Sequence, residues 1–77
     1  LWHRLAVLRL QEGQNSLAME LAKKSNVLAR GNRRLRAGNW LLVGKARAGL
    51  RDVEGAARAR ARAREYFRRA EQPLRAP

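Results

Sequence analysis

The amino-acid sequence predicts an all-α domain of about four antiparallel helices, arranged as two helix–turn–helix units. Three observations point there. Apolar residues recur at helical spacing, most cleanly over Leu17, Ala18, Leu21, Ala22, Ser25, Leu28 and Ala29. Gly13, Gly31 and Gly49 punctuate that pattern where helices would end. One spacing is also reused: Trp2 and Trp40, Gly13 and Arg51, and Ala18 and Ala56 each stand 38 residues apart. A period in this range marks helical-repeat proteins, in which a helix pair buries its apolar face only against a neighbour. The helical domain is expected over 1–72, with 73–77 a disordered tail beyond the helix-breaking Pro73.

Each element follows from its residues. The first helix covers about 1–12 on the apolar positions Leu1, Trp2, Leu5, Ala6, Leu8 and Leu10, and Gly13-Gln14-Asn15 turns the chain. Asn15 or Ser16 is the expected cap of a second helix over Leu17–Arg30, because a short polar side chain accepts a bond from a free backbone N–H. Gly31 stops it and Asn32 caps the third helix, about Arg33–Ala48, with Leu35, Leu42, Val43 and Ala46 on the buried side. Gly38-Asn39 weakens that helix, since an internal glycine costs ~1 kcal/mol relative to alanine, and one continuous helix is still expected. Asp52 caps the fourth helix, Val53 to about Gln72, with Glu54 in its first turn complementing the helix dipole. The alternation Ala57-Arg58-Ala59-Arg60-Ala61-Arg62-Ala63-Arg64 has a strand's period, but alanine and arginine are strong helix formers and no β-branched residue intervenes. Wound as a helix, Ala56, Ala59, Ala63, Tyr66, Phe67 and Ala70 share the apolar face, and Arg58, Arg62 and Arg69 stand opposite.

Composition narrows the function. The chain has 77 residues, enough for one small domain with a modest core. It carries 18 Lys+Arg against 6 Asp+Glu, a formal charge of +12, which favours anionic partners and non-specific attraction to anionic surfaces. With no cysteine there is no disulfide, thiol nucleophile or Cys-based metal site. No run of eighteen apolar residues is present, so no integral membrane segment is expected. His3 is the only histidine, with no carboxylate at helical spacing to orient it. The carboxylates form no pair with a base or nucleophile, and neither a phosphate-cradling glycine loop nor metal-ligand spacing occurs. A non-enzymatic protein without cofactor or metal is therefore expected.

Trp2, Leu5 and Ala6, then Ala18, and in the second copy Trp40, Val43, Gly44 and Ala56, resemble the tetratricopeptide repeat, whose pattern opens W-x2-L-G-x2-Y and continues A-x3-F. Small residues there let two helices cross closely while the tryptophan fills the space beside them. The chain departs from the pattern with Arg9 and Arg47 at aromatic sites, Ala22 and Arg60 at the second ones, and Arg30 and Arg68 for the closing proline. The stretches Leu1-Trp2-His3-Arg4-Leu5-Ala6, Leu21-Ala22-Lys23-Lys24-Ser25-Asn26 and Asn39-Trp40-Leu41-Leu42 are, more narrowly, similar to tetratricopeptide lipoproteins of Gram-negative periplasms. These include outer-membrane lipoprotein activators of bifunctional peptidoglycan synthases, the class A penicillin-binding proteins.

That resemblance implies a protein–protein interaction module, the C-terminal part of a longer chain held at the outer membrane by an upstream lipid anchor. Its partner would be a class A penicillin-binding protein. The inner groove would be lined by His3, Val7 and Gln11 beside Leu41 and Lys45. The residues themselves add Arg58, Arg62 and Arg69 as a basic edge for an acidic partner. Two other readings stay open, a basic helical nucleic-acid-binding domain and a structural end-cap of a longer helical solenoid, and a cytoplasmic location is the alternative to a periplasmic one.

Overall fold

The computed structural model describes residues 1–71, which form four α-helices: α1 (Trp2–Gln11), α2 (Asn15–Leu28), α3 (Arg33–Gly49) and α4 (Val53–Glu71). The expected helix end at Gln72 and the tail over 73–77 lie outside the described residues. Among those described, no helix is long and apolar enough to cross a membrane.

Local chemistry explains most of the boundaries. The Asn32 Oδ1 accepts the Leu35 N–H at 3.0 Å, and the Asp52 Oδ1 accepts the Gly55 N–H at 2.9 Å, so both expected caps are in place. α3 runs unbroken through Gly38-Asn39, and the alanine–arginine alternation is helical. α2 differs from expectation. It starts at Asn15, so Asn15 and Ser16 lie inside its first turn, and Gln14 occupies the cap position without a side-chain bond. The Asn15 amide instead lies against Gly49 at the end of α3, where a Cβ would stand 2.5 Å from its nitrogen. α2 also ends at Leu28 rather than Arg30, ahead of Gly31 at φ 75°.

Successive helices pack antiparallel. α3 packs against α1, α2 and α4, whereas α4 packs on α3 alone among the described helices. The Cα extents of 46 × 27 × 16 Å describe a flat, open array. A closed four-helix bundle would bring α1 and α4 together. The core is largely alanine, with Ala6, Ala18, Leu21, Ala22, Leu42, Val43 and Ala59 at its centre and Trp2, Leu5 and Trp40 against it. Such small side chains let helix axes approach closely. At Gly44, buried where α3 crosses α4, an added Cβ would meet the Arg60 Cγ at 3.2 Å and the Ala56 carbonyl oxygen at 3.4 Å.

The 38-residue spacing is a property of the backbone as well as of the letters. At the first turn Glu12, Gly13 and Gln14 donate to the carbonyls of Leu8, Leu10 and Arg9. At the second, Leu50, Arg51 and Asp52 donate to Ala46, Ala48 and Arg47, each pair displaced by the same 38. Both turns place a residue in the left-handed region, Gly13 at φ 78° and Arg51 at φ 63°. The Lys24 ammonium lies 5.1 Å from the Trp2 ring, and the Arg62 guanidinium lies 5.0 Å from the Trp40 ring, again 38 residues on.

The buried face of α4 is the expected one except at its rim, and Ala70 is half-buried on it. Gly55, Ala56, Ala59 and Ala63 are buried and Tyr66 half-buried, while Phe67 is 38% exposed. The stripe is centred between Ala59 and Ala63 on the Arg62 side, which leaves Phe67 at its rim. In α2, Leu17 and Leu28 are likewise exposed, and Ala18, Leu21, Ala22 and Ser25 make the buried stripe.

Candidate partner groove between α1 and α3

α1 and α3 lie side by side. Residues four apart on a helix share a face, so α1 presents His3, Val7 and Gln11 together, and α3 presents Leu41 and Lys45. These five residues, with Leu10, Gly38 and Leu42, line one groove of about 260 Å³. Leu1, His3, Arg4, Val7 and Leu35 line a second hollow that shares His3 and Val7 with it. The floor is apolar, the ends carry Lys45 and Arg4, and no carboxylate is among the lining residues.

A polar network holds this groove in shape. Asn39, 0% exposed in the middle of α3, donates from its amide nitrogen to the Ser25 Oγ at 2.8 Å and the Asn26 Oδ1 at 3.0 Å, both on α2. With the nitrogen so used, its Oδ1 faces the His3 Nδ1 of α1 at 2.5 Å. That assigns the Nδ1 tautomer to a singly protonated His3, which donates to Asn39 and keeps Nε2 as an acceptor on the Gly38 side. One side chain thus ties three helices together, and no buried side-chain nitrogen or oxygen among the described residues lacks a partner.

The basic edge is placed differently. Arg58, Arg62 and Arg69 lie on α4, away from the groove lining, and each meets a group of its own chain. Arg58 is 4.0 Å from Glu54 and Arg69 is 3.2 Å from Glu65, while Arg62 covers Trp40. Sequence reasoning overlooked Asn39 as a site-building residue. The available signal was an asparagine one position before a core tryptophan, within an otherwise apolar helix face.

Among the described residues no three His, Cys, Asp or Glu side chains come together as a metal site would need. No family model, curated protein or solved structure matches this chain.

Proposed function

We propose that this protein is a non-enzymatic, tetratricopeptide-like interaction module that binds a segment of another protein in the α1–α3 groove. The observation carrying this reading is that His3, Val7, Gln11, Leu41 and Lys45, separated by up to 42 positions, line one apolar groove with cationic ends. The repeated turn bonds and the repeated cation–aromatic pairs support the repeat assignment. The partner segment should carry apolar side chains for Val7 and Leu41, a hydrogen-bond donor for the His3 Nε2, and acidic groups toward Lys45 and Arg4.

The most concrete partner is a class A penicillin-binding protein, met in the periplasm by a chain anchored to the outer membrane. Binding the active conformation of the synthase more tightly than the inactive one would shift its population toward activity. The test is a pull-down and a glycan-polymerisation assay with such synthases. Lys45→Glu and Leu41→Glu, both at exposed positions, should abolish capture and stimulation while leaving the melting curve in place. If capture survives both substitutions, the groove is not the binding surface. A complex with nucleic acid that is sequence-selective and survives 0.3 M salt would replace this reading with the nucleic-acid one, because a +12 surface alone binds only non-specifically at ~10⁻⁴–10⁻⁶ M.

A further inference from the structure

The turn between α2 and α3 and the last turn of α4 enclose another hollow, of about 720 Å³, and its charged lining is entirely cationic. Arg30, Arg33 and Arg34 come from the turn and the start of α3, and Arg69 from α4. The hollow shares no residue with the α1–α3 groove. Backbone bonds fix the turn: the Ala29 N–H donates to the Asn26 carbonyl at 3.2 Å, and the Asn32 N–H to the Ala29 carbonyl at 3.0 Å. Gly31, at φ 75°, reverses the chain between Arg30 and Arg33. The Arg33 Nη1 then donates to the Arg69 carbonyl oxygen at 3.4 Å, which ties the start of α3 to the end of α4 across 36 residues.

Four guanidinium groups around one hollow repel one another, and the chain does little there to offset them. None of the lining residues is acidic. Among the described residues the carboxylate paired to the lining is Glu65, shared between Arg68 at 2.6 Å and Arg69 at 3.2 Å. Residues 72–77 contain no Asp or Glu. Each guanidinium carries a planar fork of N–H donors that matches phosphate oxygens in pairs. Arg33 spends one N–H on the Arg69 carbonyl and Arg69 its Nε–H on Glu65, so the remaining N–H groups of both are left for a ligand. We infer that this hollow is a binding site for a small molecule bearing two neighbouring phosphate groups. One phosphate carries about −1.5 to −2, so two bring the ligand's charge near that of the four arginines. A hollow between a turn and a helix end suits a compact ligand better than a strand of phosphates, which a row along one helix would follow.

The experiment titrates ¹⁵N-labelled protein with sodium pyrophosphate at constant ionic strength. Saturable shifts should centre on the amides of Gly31, Arg33, Arg34 and Ala70. Arg30→Gln with Arg34→Gln should weaken binding about tenfold or more, through lost charge-assisted bonds. Arg51→Gln with Arg60→Gln removes the same charge outside the hollow and should weaken it less than about twofold, because exposed charges are screened beyond about 8 Å at 0.15 M salt. Pyrophosphate should raise the melting temperature of the parent and of the Arg51/Arg60 variant, but not that of the Arg30/Arg34 variant. Without ligand the Arg30/Arg34 variant should melt no lower than the parent, since it loses exposed like charges, so its lost binding is not lost folding. Equal weakening by the two double variants would reduce the effect to general attraction and overturn the proposal. So would the absence of saturable shifts, or binding confined to phosphatidic-acid vesicles or to a single-stranded oligonucleotide.

Discussion

Asn39 shows how much a single residue decides in so small a core. Its side chain and that of Val43 are the largest fully buried ones, and the rest of the centre is mainly alanine and leucine. Asn39→Ala would leave His3 Nδ1, Ser25 and Asn26 short of a partner at once, at a cost of about 1–3 kcal/mol. For a domain of this size that is a large share of total stability. Thermal melts should show the loss, and long-range ¹⁵N spectra of the imidazole should show His3 leaving its single tautomer. Arg51 predicts the opposite sign. Its φ of 63° is one that Gly13 adopts at the equivalent turn without a Cβ. Arg51→Gly should therefore stabilise the fold by about 0.5–1 kcal/mol in chemical denaturation, and Gly13→Arg should cost a similar amount. Gly44 discriminates by size. Alanine needs Arg60 to give way by only a few tenths of an ångström and gains helix propensity, so Gly44→Ala should be close to neutral. Gly44→Leu should overpack the α3–α4 crossing by about 1–3 kcal/mol.

At the level of elements, α4 is where the chain's charge and its packing compete. Arg58 and Arg69 sit in exposed i,i+4 pairs with Glu54 and Glu65, contacts individually worth ~0–1 kcal/mol. Arg62 has the more specific role, since its guanidinium over Trp40 contributes ~0.5–1 kcal/mol. Arg62→Gln should lower the melting temperature slightly and shift Trp40 emission, whereas Arg58→Gln and Arg69→Gln should not. Phe67→Ala should cost well under the ~3–5 kcal/mol of a fully buried ring, because Phe67 is 38% exposed. These contrasts also mark what could be read from the letters. The helices and the turns at Gly13 and Arg51 follow from spacing and the caps Asn32 and Asp52 from residue type, which is local information, whereas the grouping of the five groove residues came from the resemblance to the tetratricopeptide repeat. The exposure of Phe67 at the rim of the α4 stripe does not follow from spacing. Alanine and arginine alternate there, so the apolar stripe has no sharp edge, and packing against Gly44 and Trp40 chose its centre. The role of Asn39 was hidden for a related reason: its three partners lie on two other helices, at separations of 36, 14 and 13 residues.

The whole molecule carries +12 on a body 46 Å long, and this has a thermodynamic sign. Like charges repel more in the folded array than in an expanded chain, so added salt should stabilise the fold. The melting temperature should rise between low and moderate ionic strength, and a flat response would mean that the local ion pairs already balance the surface. The open arrangement has a further consequence, for the order in which the chain comes apart. A helix with one neighbour can leave without disturbing the others, and among the described helices α4 has only α3, whereas α3 has three neighbours. Amide hydrogens of α4 should then exchange through a partial opening well below the global free energy, and those of α3 only when the whole domain unfolds. The detached segment would not be a random coil, because its alanine and arginine favour helix on their own. In such an opening α4 would act as a preformed rod hinged at Asp52, swinging off α3 to uncover Gly44 and Trp40 while α1, α2 and α3 stay assembled.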